Sequence, residues 1–445
     1  MAEPLKVGLA GLGTVGTAVV QLLERGRDKL VARCGRPIEV VAVSARSRSK
    51  KRDIDLKKFR WAADPAALAA DPAIDVLVEV IGGEGDPAKR VVETALAAGK
   101  AVVTANKALL ARHGQKLAAL AERHRVALNF EASVAGGIPI VKTLREGLNG
   151  NSFTRIYGIL NGTCNYILSR MEEDRLAFDE CLREAQRLGY AEADPSFDVE
   201  GHDTAQKLSI LASLAFGTKV DPAAVYVEGI SSITLADLDA ADELGYRVKL
   251  LGVAVKTEAG IEQRVHPTMV PKDSAIAQVM GVTNAVTMDA DGLAPITLVG
   301  PGAGGMATAS SVVADLADIA RGVRTPPFGR PAARMTAIGK APMQRHEGGY
   351  YIRLLARDRP GSAATIARRL AQRHISLESI VQRHDIRAQD VRAQGLAQPG
   401  RSGEPVPVIL ITYATSEDAV RKALAAVRRD RVISGRPQVI RIEKN

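Results

Sequence analysis

The sequence predicts an α/β fold in three parts: a doubly wound parallel sheet over residues 1–130, an α+β unit over 131–322 and a compact βαββα unit over 349–445, with a linker at 323–348. Three observations carry this. The first third alternates short apolar runs with helical patterns, the arrangement that builds a parallel sheet. At Glu131 the texture shifts to longer helices separated by acidic and glycine-containing loops, and Arg324–Arg345 is proline-rich and weakly apolar.

Leu5–Ala10, Ile38–Val43, Val76–Ile81 and Ala101–Thr104 read as strands. They are continuously apolar rather than alternating, as expected when both sheet faces are covered. Between them Val15–Leu30, Pro87–Ala98 and Leu109–His124 read as helices. The second part offers helices at Ala177–Gly189 and His202–Phe216 and strands at Ile261–His266 and Ile296–Val299. A glycine-rich turn, Gly300-Pro-Gly-Ala-Gly-Gly305, then opens a helix to about Ala320, and residues 302–322 are expected to complete the first unit. The last part reads strand Tyr350–Ala356, helix Gly361–Gln372, strand Ser376–Gln382, a polar stretch, strand Val406–Tyr413 and helix Ser416–Arg429.

Composition narrows the function classes. With 46% hydrophobic and 25% charged residues the chain is an ordinary folded protein, and aromatics at 4% leave the cores to Ala, Val, Leu and Ile. Cys34, Cys164 and Cys181 are too few and too scattered for a disulfide framework or a zinc site. No apolar run approaches the roughly 18 residues of a membrane span, and the start lacks a basic segment followed by an apolar one, so a cytoplasmic protein without a membrane partner is expected. The 60 basic residues outnumber the 50 acidic ones, for a net +10. That excess is dispersed and not interleaved with aromatics, which argues against nucleic acid and suits an anionic cofactor.

Gly11-Leu12-Gly13-Thr14-Val15-Gly16 follows a strand and opens a helix, the context in which this spacing binds a dinucleotide on a Rossmann-type sheet. The alternative is a tight turn without a ligand. After the second strand the chain reads Ser44-Ala-Arg46-Ser-Arg48-Ser-Lys50-Lys-Arg52, with no acid for a ribose until Asp53. Arg46 and Arg48 therefore point to the 2′-phosphate of NADP, with NAD as the alternative cofactor and a solvated basic loop as the reading without a ligand. Two further strands end in Glu79-Val-Ile-Gly82 and Thr104-Ala-Asn-Lys107, at the carboxyl edge where such sheets bind ligands. In Gly189–Lys207 acids cluster in a loop, and Asp203 and Lys207 share a helix face at i,i+4. By itself that pair is a dipole-completing acid and a surface ion pair. Beside Leu208, Leu211 and Leu214, however, a desolvated lysine becomes a candidate proton donor.

These motifs occur together with Glu131-Ala-Ser-Val134-Ala-Gly136-Gly-Ile138-Pro-Ile, Gly158-Ile-Leu-Asn-Gly162-Thr163-Cys164-Asn and Gly302-Ala-Gly-Gly-Met-Ala-Thr-Ala. In this order the set resembles homoserine dehydrogenase, in the long form with a C-terminal ACT domain. Cys164 departs from the Thr or Ser usual at its position. The resemblance implies reversible NAD(P)H-dependent reduction of L-aspartate 4-semialdehyde to L-homoserine, in threonine, methionine and isoleucine biosynthesis, by a homodimer or homotetramer. It makes Lys207 the general acid and Lys107 the lysine that polarises the carbonyl. It assigns Glu192, Asp203, Asp198, Thr163 and Gly162 to the substrate, and Gly82, Thr104, Lys107 and Gly302 to the cofactor beside the glycine motif. Glu131, Val134, Gly136 and Ile138 match a site for sodium or another monovalent cation. Asp358 and Gly361, in Tyr351–Gly361, match the turn of an ACT domain that binds an amino-acid effector, L-threonine by analogy, with a plain dimerisation module as the alternative. A thiolate role for Cys164 is disfavoured because no histidine lies near it in sequence. The competing function class is a catalytically silent protein that senses a nucleotide and an amino acid.

Overall fold

The structure, a computed structural model, describes residues 2–337, 347–382 and 405–443. Residues 338–346 of the expected linker and the polar stretch 383–404 lie outside these. Six parallel strands, β1 (Leu5–Ala10), β2 (Ile38–Ser44), β3 (Arg60–Trp61), β4 (Val76–Glu79), β5 (Ala101–Thr104) and β6 (Leu128–Asn129), stand in the order β3-β2-β1-β4-β5-β6. This is a doubly wound sheet whose order reverses between β1 and β4, which opens a crevice at their carboxyl ends. Val7, Leu9, Val76, Leu77, Val78, Val102 and Val103 are all buried, the reason these strands lack alternation.

Three boundaries differ from expectation. The first helix is two helices, Thr14–Arg25 and Arg27–Cys34, because Gly26 ends the first turn run by donating to the Leu22 carbonyl. β4 stops at Glu79, so Val80 and Ile81 are free to line the crevice. The helix expected from Leu109 begins at Lys107, since the Asn106 side chain accepts from Leu109 N–H and caps it. The helix Gly305–Ala320 packs back on the first domain: Ala309, Val312 and Leu316 share a core with Val7 and Val19.

A second sheet joins the other two parts. Its strands are β7 (Phe153–Ile159), β8 (Tyr226–Val227), β9 (Tyr246–Thr257), β10 (Gly260–Pro271), β11 (Thr283–Ala290), β12 (Ile296–Pro301), β13 (Glu347–Arg357), β14 (Leu377–Gln382), β15 (Pro405–Thr412), β16 (Thr415–Ser416) and β17 (Ile433–Ile442). The path runs β12-β11-β7-β9-β10-β17-β13-β15-β14, with β8 beside β10 and β16 beside β13. Sequence patterning locates parts of β10 and β12 but not β7, β9 or β11. β9 is buried on both faces over most of its length, and such a run carries no period that separates strand from helix. β17 also escapes the pattern, so the C-terminal unit gains a strand beyond βαββα. Gly435, at φ 69°, and Pro437 interrupt it, and the ladder to β13 shifts register there.

The helix His202–Phe216 lies on one face of this sheet and is buried almost all round. Gly252 of β9 permits the approach, since a Cβ there would stand 3.1 Å from the Thr204 methyl. The C-terminal unit is packed against the second part through charge as well as strand pairing. β17 runs parallel to β10 through Thr268–Arg441 and Met269–Ile442. Arg441, 1% exposed, sits between Glu228 at 2.5 Å and Glu417 at 2.7 Å. Buried Asp237 accepts from the Tyr351 hydroxyl at 2.9 Å and from Arg353 at 2.7 Å. The described part of the expected linker, 323–337, is packed as well: Phe328 is buried with its ring 5.1 Å from that of Phe130, and Glu122 accepts from Ala332 N–H.

Lys249 gives this core a pH signature. Its ammonium is buried on β9, donates to the Val279 carbonyl at 2.6 Å and Asn165 Oδ1 at 3.1 Å, and among the described residues touches no carboxylate. Burial and the Arg247 charge lower it to about 7, opposed by Glu172 and Glu173. The unfolded chain keeps this proton up to about pH 10, so the unfolded state binds more protons through that window and stability rises with pH there. Measured by urea denaturation, the wild type should gain on Lys249→Met by about 1.4 kcal/mol per pH unit between about pH 7 and 10. A difference that stays constant would mean the lysine titrates normally.

Candidate active site

The glycine motif is built for close approach on one side and space on the other. A Cβ at Gly11, where φ is +108°, would lie 2.6 Å from the Val80 carbonyl oxygen, and one at Gly16 would lie 2.0 Å from that of Gly11. At Gly13 a Cβ would meet nothing within 4 Å, so this residue faces open space where a pyrophosphate can come against the backbone. Thr14 is the first residue of the helix that follows. Gly11, Leu12 and Gly13 line a cavity of about 470 Å³ together with Arg46, Lys50 and Arg52. Arg48 is elsewhere, with its guanidinium 5.9 Å from the centre of the Trp61 ring. Arg52 spends its donors on the carbonyls of Leu12, Ser47 and Lys50, each at 2.8 Å, which curls the basic loop around the glycine turn. Lys50 and Arg52 were not singled out in the sequence; a run of five cations over seven residues does not say which face the cavity.

A second cavity of about 250 Å³ adjoins the first at Val80 and Ile81. Val15, Gly82, Lys107, Lys207 and Gly302 line it, so residues from five separated segments of the chain meet there. Val134 and Gly136 border it too. Thr104 lies beneath rather than at the surface: its buried hydroxyl donates to Glu79 Oε2 at 2.6 Å, while Glu79 Oε1 accepts from Ile81 and Gly82 N–H. Glu79 thus holds the loop that borders the cavity.

Behind its wall, buried Asp203 joins the two lysines that line it. Lys107 Nζ is 2.9 Å from Oδ1 and Lys207 Nζ is 2.9 Å from Oδ2. Asn161 Nδ2 donates to Asp203 Oδ2 and to Asp198 Oδ1, both at 2.8 Å, while Asn161 Oδ1 caps the helix Gly162–Asp174 by accepting from Cys164 N–H. Burial would raise the Asp203 carboxyl, but the two lysines hold it well below the carboxylate range. Burial opposes the Lys107 charge, yet Asp203 keeps that ammonium above its ordinary value. Asp198 is raised, by burial and by Asp203. Lys207 also donates to the Leu160 carbonyl at 2.7 Å. An ammonium has three donors, so one N–H of Lys207 remains beyond these two contacts.

Gly162 and Thr163 start the helix, with the Thr163 hydroxyl on the Tyr190 carbonyl at 2.6 Å. Glu192 is exposed, and among the described residues its carboxylate has no hydrogen-bond partner. Cys164 is fully buried and its thiol is raised far up by burial and by Asp198, which makes it a packed residue rather than a nucleophile. Asn161 and the Leu160 carbonyl escaped sequence reasoning; only the tertiary contact with Asp203 distinguishes that asparagine from an ordinary cap.

At the 131–138 bend both Glu131 oxygens accept backbone N–H groups, of Val141 and Lys142, and the Gly136 carbonyl accepts from the Ser311 hydroxyl. Burial pushes Glu131 up to about 7, and burial with the Glu131 charge pushes Asp315 up to about 8. Asp315 Oδ1 is buried without a hydrogen-bond partner, in keeping with a carboxyl that retains its proton. Ile138 is buried within the same bend. Among the described residues no cluster of three or more His, Cys, Asp or Glu has metal-ligand geometry. Asp358 and Gly361 lie far along the chain in an exposed turn, where Gly361 precedes the helix Ser362–Ala371. Among the described residues no helix is long and apolar enough to cross a membrane.

Asn161→Ala should lower kcat about tenfold and leave cofactor Kd unchanged, because it frees Asp203 and Asp198 without touching the glycine motif. Steady-state kinetics with cofactor titration checks this; a loss confined to cofactor binding would contradict it.

Comparison with known proteins agrees across the chain. The family model described as homoserine dehydrogenase, NAD binding domain matches residues 11–131, the homoserine dehydrogenase model matches 139–317 and an ACT domain model matches 350–393. Homoserine dehydrogenase of Pseudomonas aeruginosa is 45% identical over 99% of both chains, and that of Neisseria gonorrhoeae is 44% identical over 96% of this chain and 95% of its own. The crystal structure of a homoserine dehydrogenase from Thiobacillus denitrificans superposes with a TM-score of 0.89 at 42% identity, over 99% of this chain and 98% of that one. A hyperthermophilic archaeal homoserine dehydrogenase in complex with NADPH matches at a TM-score of 0.60 and 28% identity, over 71% of this chain and 97% of its own. The chain belongs to the homoserine dehydrogenase family, oxidoreductases of amino-acid biosynthesis, and carries an NAD-binding domain, a catalytic domain and an ACT domain.

Proposed function

We propose that the Lys107–Asp203–Lys207 cluster interconverts L-aspartate 4-semialdehyde and L-homoserine, and that the free donor of Lys207 carries the proton. The observation behind this reading is the pairing of one buried carboxylate with two lysines at the border of a dinucleotide-sized crevice. A bound nicotinamide supplies the hydride, or accepts it in reverse. Lys207 gives its remaining proton to the oxygen as the aldehyde becomes an alcohol, while Asp203 and the Leu160 carbonyl hold its position. Lys107, kept protonated by Asp203, polarises the same oxygen. The first N–H groups of the helix at Gly162 and Thr163 suit the α-carboxylate. Glu192, with its oxygens unengaged, and Asp198 suit the α-ammonium, whereas both oxygens of Asp203 are already occupied by lysines. A silent sensor has no use for two lysines converging on one acid.

NADP is the proposed cofactor, with Gly11–Gly16 on the pyrophosphate and Arg46 on the 2′-phosphate, assisted by Lys50 at the same cavity. A monovalent cation such as sodium fits the 131–138 bend. Its donors, the Glu131, Val134, Gly136 and Ile138 carbonyls, are all hard oxygen, the type of ligand such a cation takes. A homodimer or homotetramer in the cytoplasm, acting in threonine, methionine and isoleucine synthesis with feedback through the Asp358–Gly361 turn, completes the reading.

The decisive assay is homoserine-dependent reduction of NADP at alkaline pH. Lys207→Ala should cut kcat by at least about 100-fold with cofactor still bound; near-normal turnover would remove Lys207 from this role. Arg46→Ala should raise the Kd of NADP by about tenfold or more and leave that of NAD within about twofold, whereas Arg48→Ala should affect both little. Equal losses for the two cofactors in Arg46→Ala would show that the loop does not read the 2′-phosphate.

A further inference from the structure

The helix carrying Asp203 and Lys207 covers one face of the second sheet, packed on Gly252 of β9. The opposite face, which presents Leu251 and Val253, is partly covered by Ile276, Ala277 and Val279 of the segment after β10. Beside that cover lies a third cavity, about 380 Å³, with Glu443 just beyond β17 at its rim. It is distinct from the cofactor crevice and shares no lining residue with it.

Two opposite charges face each other here without closing. Arg155 of β7 and Asp289 of β11 are register partners, yet they form no ion pair within 4 Å. Arg155 is held back: its guanidinium lies 4.1 Å from the centre of the Tyr157 ring, and one Nη rests 3.3 Å from Glu443 Oε2. Arg155 Nε and Asp289 Oδ1 are consequently both buried without a hydrogen-bond partner. Burial raises the Asp289 carboxyl, against the pull of Arg155, as expected of an acid lacking full compensation. Deeper in, the Thr287 and Thr297 hydroxyls are bonded to each other at 2.9 Å, and Leu251, Val270 and Ile276 supply apolar wall.

We propose that this cavity binds a free α-amino acid, its carboxylate on Arg155, its ammonium on Asp289, and a short aliphatic or hydroxylated side chain against the threonine pair. A lone anion would be repelled by Asp289 and Glu443, and a lone cation by Arg155; a zwitterion satisfies both orphaned atoms at once. The carboxylate would share Arg155 with Glu443, whose backbone N–H donates to the Met269 carbonyl where β17 meets β10. Occupancy therefore bears directly on the seam between the ACT and catalytic domains. The inference deepens the effector reading above by giving the amino acid a place on the catalytic sheet, separate from the Asp358–Gly361 turn.

Calorimetric titration of the full chain tests it, with L-threonine and L-isoleucine as probes and N-acetyl-L-threonine and L-threonine methyl ester as controls that each lack one charge. Saturable binding of at least one free amino acid is expected, with either control at least about tenfold weaker. Asp289→Asn and Arg155→Gln should each weaken binding by about tenfold or more while leaving kcat and the KM for homoserine unchanged. Wild-type affinity in both variants would overturn the site; if Asp358→Ala then abolished binding, the effector reading would stand and only this location would fall. Binding of the two controls as tight as that of the free amino acid would also overturn it, independently of how the variants fold. No saturable binding of either probe up to about 10 mM would overturn the site and the effector reading together.

Discussion

A carboxylate buried between two domains can stay ionised only if cations reach it, and Asp203 draws one from each. Lys107 is the first residue of a helix in the nucleotide-binding domain, and Lys207 stands one turn beyond Asp203 in the central helix of the catalytic domain. Removing either would leave charge in a site where desolvation costs several kcal/mol per ion. The same contact that satisfies Asp203 therefore fixes how the two domains face each other across the crevice. It also leaves each lysine with donors to spare, so a structural necessity and a chemical capacity rest on one geometry. Asn161 extends the constraint by tying Asp203 to Asp198 and to the first turn of a third helix.

The crevice itself is assembled from segments far apart in the chain. Gly136 and Gly302 touch so closely that a Cβ on Gly136 would stand 2.5 Å from the Gly302 backbone. That contact brings the 131–138 bend against the turn that opens the helix Gly305–Ala320. This helix returns to pack on the glycine-motif helix, so the nucleotide-binding domain is finished only after the catalytic domain has been built.

Charge also governs the third domain. Arg441, Glu228 and Glu417 form one buried cluster, and Asp237, Tyr351 and Arg353 a second, both across the boundary with the catalytic domain. Buried pairs of this kind are weak sources of net stability but penalise misalignment severely, since any slip strands an unpaired ion. They fix the register in which β17 meets β10, and the ACT domain becomes an extension of the catalytic sheet. The described part of the chain between them, residues 323–337, contributes Phe328 to the core.

By itself the sequence determined the nucleotide-binding half of the protein, because its signals are local. The Gly11–Gly16 spacing, the double-sided strands and the caps act within a turn or two, and their order along the chain is their order in function. The same holds for Asp203 and Lys207, four residues apart on one helix. The tertiary structure alone decided the rest. The strand β9 carries no readable period because neighbours cover both faces over most of its length, and the interruption of β17 by Gly435 and Pro437 makes sense only opposite the shifted register of β13. Among the basic residues after β2, only packing placed Arg46 at the cavity and Arg48 over Trp61. Asn161 and the opposed Arg155 and Asp289 depend on contacts between residues 37 to 134 positions apart. Nothing in the local chain encodes such distances: they arise from burial and charge compensation that exist only once the sheet has formed.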